Sequence, residues 1–182
     1  MTLYINCCVR EESRTDRLAR AVLQKLGEGF TEINLYETNL KPLDRETLEK
    51  RTALIERGDY SDSLFDRARQ FASADTIVIA APYWDLSFPA PLKTYFENIY
   101  VTGIVSAYDE NGLPRGLCRA KELYYVTTAG GPYDPTYSYG YVESLAQHFF
   151  GIPAAHLVKA EMLDITGNDA EELLKRELDK WT

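Results

Sequence analysis

Residues 76–99, TIVIAAPYWDLSFPAPLKTYFENI, limit what this chain can fold into more than any other stretch. They open with Ile77-Val78-Ile79-Ala80-Ala81, an apolar, β-branched run too short for a helix. Such a run reads as a strand buried on both faces. They close with Leu92, Tyr95, Phe96, Ile99 and Tyr100 at the spacing of an amphipathic helix. Pro89 and Pro91 suit that helix's first turn, where the missing N–H costs nothing. The loop between, Pro82-Tyr83-Trp84-Asp85-Leu86-Ser87, leaves the carboxyl end of a buried strand, where open α/β sheets take their ligands. Two roles fit Tyr83 and Trp84 there. They form a platform for a flat molecule, or they plug the end of the sheet.

The rest of the chain supplies partners for that strand. Leu3-Tyr4-Ile5-Asn6 reads as a first strand, the loop CCVREES follows, and a helix runs from Arg14 to Leu26 with Gly27 as its stop. Phe30 to Tyr36 alternates as an edge-like strand. Lys41 to Arg57 is charged and fits a surface helix, and Ser61 or Asp62 can cap a helix that turns Leu64, Phe65, Ala68, Phe71 and Ala72 inward. After the helix of the opening stretch, Asp109-Glu110-Asn111-Gly112 signals a hairpin. Leu123 to Thr128 is a fourth strand, entering the loop Ala129-Gly130-Gly131-Pro132-Tyr133. Tyr141 to Phe150 is helical up to Gly151 and Pro153, His156-Leu157-Val158 centres a fifth strand, and a last helix starts near Asp169. Strands alternating with helices mean a parallel sheet covered on both faces. Five of them fit the three-layer flavodoxin-like order 2-1-3-4-5, with the hairpin inserted after the third helix of that fold, the one following the third strand.

With 182 residues the chain suits a single domain, 1–182, with a substantial core. A net charge of −8 argues against nucleic acid, whose phosphates want a basic face. Arg10, Glu11 and Glu12 interrupt the N-terminus before a signal peptide could form, and no run reaches membrane-spanning length. Cys7 and Cys8 are adjacent and Cys118 is remote, which suggests neither a disulfide framework nor a zinc site. A cytoplasmic protein is expected.

Three loops should meet at the carboxyl edge: Cys7 to Thr15, Pro82 to Ser87, and Thr128 to Tyr133. The first enters a helix N-terminus and offers Ser13 and Thr15, which fits an anion such as phosphate or a plain N-cap. Gly130 and Gly131 fit a close approach to a ligand or a plain turn. No dinucleotide fingerprint and no P-loop occurs. His148 and His156 lack partners at metal-ligand spacing, and no acid, base and nucleophile constellation is visible. A phosphate loop with an aromatic floor and no catalytic set of its own points to chemistry borrowed from a cofactor.

These residues resemble the FMN-dependent NAD(P)H oxidoreductases of the flavodoxin-like fold, the branch that holds azoreductases and NAD(P)H:quinone oxidoreductases. The likeness spans nearly the whole chain. The family's phosphate loop carries a small hydroxyl residue followed by two more at six and eight positions on; here these are Cys7, Ser13 and Thr15, with Arg14 between the last two. Its isoalloxazine loop, Pro-Met-Tyr-Asn-Phe, matches Pro82-Tyr83-Trp84-Asp85-Leu86. Its third motif matches Thr128-Ala129-Gly130-Gly131. The resemblance implies bound FMN, NADH or NADPH as co-substrate, ping-pong hydride transfer to a quinone, azo or nitro acceptor, and a homodimer. The alternative is an FMN electron carrier that does not turn over NAD(P)H.

Two departures matter. Cys7 stands for a serine, and Asp85 for an asparagine beside the flavin. Three fates are open to Asp85: an Asx turn capping the next helix, a bond to the ring's N3–H, or a position at the pyrimidine edge where its charge tunes reduction. The homodimer has its own motive in Tyr95, Ile99, Tyr100, Ile104 and Val105, more apolar surface than one domain covers, unless all five pack into their own core.

Overall fold

A computed structural model describes residues 1–27 and 29–181. Its central sheet joins β1 (Thr2–Asn6), β2 (Phe30–Asn34), β3 (Thr76–Ala80), β6 (Glu122–Thr128) and β7 (Ala154–Ala160) in the order β2-β1-β3-β6-β7, with every pairing parallel. This is the expected 2-1-3-4-5 order. The two extra numbers belong to the inserted hairpin β4 (Ser106–Tyr108) and β5 (Pro114–Gly116), which pairs antiparallel apart from the main sheet. Gly112 takes φ +75° at the hairpin's tip, and the Asp109 carboxylate accepts the N–H groups of Asn111 and Leu113.

The two-residue period of the strands sorts side chains into two apolar layers. Tyr4, Val78, Val126 and Val158 pack under α1 (Arg14–Leu26) and α6 (Ala170–Leu178). Leu3, Ile5, Ile77, Ile79, Leu123 and Tyr125 face the opposite layer. That layer is built from α3 (Asp66–Ser73), α4 (Ala90–Ile99) and α5 (Tyr139–Leu145), the last running on as a π turn to Phe150. Between β2 and α3, α2 (Arg45–Glu56) lies on the surface with Leu54 alone buried. Asp62 rather than Ser61 caps the turn that leads into α3. β2 stops at Asn34, two residues short of the expected Tyr36, because the Asn34 side chain accepts the Tyr36 N–H and turns the chain.

The motive for a homodimer fails. Tyr95, Ile99 and Val105 are fully buried in their own core, and Tyr100 and Ile104 are half-buried against it. Three of the five are thus spent on the chain's own core, and Tyr100 and Ile104 keep part of their surface outside it. No helix among the described residues is long and apolar enough to cross a membrane.

Candidate functional site

The strand order reverses between β1 and β3, and the loops leaving these two strands open a cleft of about 340 Å³ at the carboxyl edge. In the first loop, the Cys7 N–H extends the β1–β3 ladder by donating to the Ala80 carbonyl at 2.8 Å. Its thiol is sealed in the core, where burial pushes it up to about 12. Cys7 therefore does not line the cleft, contrary to expectation; a sulfur one residue past the strand's end continues the strand's inward face. Cys8 lines it instead, anchored by its N–H on the Asn6 side chain at 2.9 Å.

Ser13 then caps α1, its hydroxyl accepting the Asp16 N–H over a long 3.3 Å. The N-cap reading of Ser13 is thus observed, and the same residue also lines the cleft. Thr15 is no cap. Its hydroxyl reaches across to the Thr128 hydroxyl at 2.6 Å and joins the first loop to the third. The first-turn N–H groups of α1 lack acceptors within the helix and open on this end, with the helix dipole positive there.

The second loop departs from expectation at its tip. Trp84 and Ser87 exchange backbone hydrogen bonds at 3.0 and 2.8 Å, making a two-residue hairpin in which Asp85 (φ +48°) and Leu86 (φ +67°) are both left-handed. That is a type I′ turn, a geometry that favours Asn-Gly. Asp85 is exposed and makes no side-chain hydrogen bond among the described residues, and α4 has no side-chain cap. The Asx-turn fate is thereby overturned: a type I′ turn satisfies Ser87 N–H with the Trp84 carbonyl. Leu86 points into solvent at 58% exposure. Trp84 is 40% exposed, whereas Tyr83 packs edge-on against Tyr133 with ring centres 4.8 Å apart. Trp84 fits a platform and Tyr83 fits both a platform and a plug.

In the third loop the Gly130 and Gly131 carbonyls accept N–H groups of Asp164 (2.9 Å) and Met162 (3.1 Å). Neither glycine has a positive φ. The Asp164 carboxylate instead occupies the space that a Cβ at Gly130 would take. This brings in a fourth loop, after β7, that sequence reasoning missed. Leu163 and Asp164 line the cleft, and the Asp164 carboxylate accepts from the Arg14 guanidinium at 2.9 Å. No motif marks that loop; backbone pairing between neighbouring loops leaves no trace in residue type.

The cleft thus gathers Ser13, Arg14, Thr15, Pro82, Tyr83, Trp84, Thr128, Ala129 and Gly130 of the expected set. Cys7, Asp85, Leu86 and Gly131 lie outside its lining. Val9, Arg10 and Glu12 of the first loop join it without having been singled out. His156 stacks on Tyr124 at 4.7 Å and His148 bonds the Ser144 carbonyl, both away from the cleft. The cleft offers N–H groups, hydroxyls and the side chains of Arg10 and Arg14, along with the carboxylates of Glu12 and Asp164 and the exposed Trp84 indole. That donor set fits a ligand with an anionic tail and a flat head.

Fold and cleft together define a doubly wound α/β domain with a cleft at the topological switch point, where such folds take their ligands. The Flavodoxin_2 family, described as a flavodoxin-like fold, matches residues 1–182, and the chain belongs to this family. An FMN-dependent NADH:quinone oxidoreductase of Clostridium beijerinckii is 41% identical over 188 residues, 98% of this chain and 94% of that protein. FMN-dependent NADH:quinone oxidoreductase 2 of Clostridium acetobutylicum is 34% identical over 192 residues, with the same shares. Among solved structures, an FMN-dependent NADH-azoreductase of Bacillus anthracis in complex with FMN superposes with a TM-score of 0.79 at 24% identity, covering 99% of this chain and 94% of that one.

Proposed function

We propose that the cleft binds FMN and that the chain is an FMN-dependent NADH oxidoreductase acting on quinones, with azo or nitro compounds as further acceptors. The observation that carries this is the division of the cleft into an open helix N-terminus with hydroxyls and an exposed aromatic end, in a chain whose relatives are named for that activity. NADH rather than NADPH is the co-substrate, as in those names.

Ser13, Arg14 and Thr15 would hold the phosphate. A dianion at the start of α1 meets the positive end of the dipole, and each charge-assisted hydrogen bond is worth about 1.5–3 kcal/mol. Thr15 has to share its hydroxyl between the phosphate and Thr128, which ties the two loops together around the ligand. Pro82, Tyr83 and Trp84 would flank the ring on one side, and Thr128, Ala129 and Gly130 on the other. Cys7 and Gly131 serve the site through their backbones, since neither lines it. Asp85 and Leu86 form the tip beside the ring rather than its floor. When bound, the flavin supplies the two-electron chemistry between nicotinamide and acceptor. The protein's residues would position it, with the exposed Trp84 indole beside it.

The active unit is a homodimer in this reading. Its support is an apolar groove of about 380 Å³ between α2, α4 and α5, lined by Leu43, Leu48, Ile55, Phe96, Tyr100 and Leu145. Three buried free thiols fit a cytoplasmic setting. The test is NADH oxidation by FMN-loaded protein with a soluble quinone. Parallel steady-state lines are expected, because nicotinamide and acceptor share one face of the ring. Turnover absent with every quinone would return the chain to the electron-carrier alternative, and a sedimentation mass near 20.7 kDa would contradict the dimer.

A further inference from the structure

The phosphate end of the cleft already contains an anion. Arg14 opens α1, and its guanidinium is engaged by the Asp164 carboxylate at 2.9 Å, with the two side chains 37% and 70% exposed. Asp164 is the shorter and more exposed partner, carried on a paired backbone. Its own N–H donates to the Gly130 carbonyl at 2.9 Å, and its carboxylate sits in the space a Gly130 side chain would fill. The loop behind it is closed by the Asn168 side chain on the Met162 carbonyl at 2.9 Å. Arg14, by contrast, is a long flexible arm on the rim of the cleft. A cofactor phosphate arriving at Ser13 and Thr15 would meet a guanidinium that already has a carboxylate partner.

We propose that Asp164 is a built-in competitor for Arg14, a positioning residue that weakens the site's hold on the phosphate of its cofactor. This rests on the FMN reading given above. The carboxylate and the phosphate both accept from the guanidinium, so each bond to one weakens the call on the other. Exposed ion pairs of this kind are weak, which makes the competition a modest adjustment and not a block. Its result is a flavin held less tightly than the loop's donors alone would hold it.

Comparison of FMN with riboflavin, which lacks the phosphate, isolates the effect. Apoprotein is titrated with each by flavin fluorescence, and the ratio of the two dissociation constants reports the phosphate alone. Asp164→Asn, which keeps shape and removes charge, should raise FMN affinity relative to riboflavin by about two- to five-fold, the range of a surface ion pair. Asp164→Ser should do the same, and protects the test should the amide disturb the loop. In an Arg14→Gln background the gain should fall by at least half, since the competition runs through the guanidinium. A ratio that is unchanged or lower in both Asp164 variants overturns the proposal, as does a full gain without Arg14. Wild-type protein that binds neither flavin would instead remove the FMN reading itself, a result distinct from two flavins bound with an unaltered ratio.

Discussion

The two ends of the cleft are built on opposite principles. At the α1 end the backbone is relaxed and the side chains are tied: Ser13 caps the helix, Thr15 is bonded to Thr128, and Arg14 to Asp164. At the Trp84 end the side chains are free and the backbone is strained, with two successive left-handed residues, neither of them glycine, and Asp85, Leu86 and Trp84 open to solvent. Strain of this kind persists only where the surroundings hold it in place, here the paired Trp84–Ser87 backbone and the Ser87 hydroxyl on the Tyr137 carbonyl at 2.7 Å. The contrast teaches a division of labour. In the proposed function the tied end would grip the cofactor's phosphate, and the strained end would present a surface to what comes and goes.

The largest effect should come from breaking the tied end. Ser13→Ala with Thr15→Ala removes two hydroxyl donors and the Thr15–Thr128 bond, and should weaken FMN binding well over tenfold. Loss of the Ser13 cap should also lower the melting temperature by roughly 2–4 °C, from about 1 kcal/mol. Unchanged affinity by titration would place the phosphate elsewhere.

Next in size is relief of the strained end. Asp85→Asn with Leu86→Gly installs the residue pair a type I′ turn favours, and should stabilise the protein by about 1 kcal/mol, a rise of roughly 2–4 °C. A calorimetric midpoint that does not move would mean the turn carries no strain.

Asp85→Asn alone addresses charge. The carboxylate sits on an exposed tip outside the cleft lining, so solvent screens it. Across about 10 Å of water-like dielectric two unit charges repel by roughly 0.4 kcal/mol. The flavin midpoint potential should therefore rise by only about 10 mV, taking 30 mV as about 1.4 kcal/mol for a two-electron couple. Spectroelectrochemistry showing a shift several times larger would put the carboxylate against the ring.

The smallest effect is one of pH, at the buttress behind Tyr83. Glu161 pairs with Lys159 and accepts the Tyr133 N–H at 2.7 Å, and these partners hold its carboxyl below the ordinary carboxylate value. A depressed pKa stabilises the fold above the unfolded value, about pH 4.3, and that contribution is lost as pH falls through the folded value. The melting temperatures of wild type and Glu161→Gln should differ by a constant amount above about pH 5 and converge in acid. A gap that widens on acidification would reverse the sign of this coupling.

The tied end was largely legible in the sequence and the strained end was not, for physical reasons. Ser13 and Thr15 announce themselves because hydroxyls at a helix start have few roles, and the apolar run at Ile77–Ala81 sets the strand they adjoin. The sheet order followed from the alternation of strands and helices. The turn at Asp85-Leu86 hides because neither residue favours a left-handed backbone, so no propensity marks it. Asp164 hides because it reaches the site through tertiary pairing of two loops. Tyr95 and Ile99 mislead as a dimer face because a helix packed on a parallel sheet needs the same apolar stripe as one packed on a partner.

A crystal structure of the FMN complex tests the division of the cleft most directly. The account predicts phosphate oxygens within hydrogen-bond distance of Ser13 and Thr15, with the ring between Pro82–Trp84 and Thr128–Gly130. A phosphate bound at the Trp84 end, or a flavin seated in the groove between α2 and α4, would contradict it.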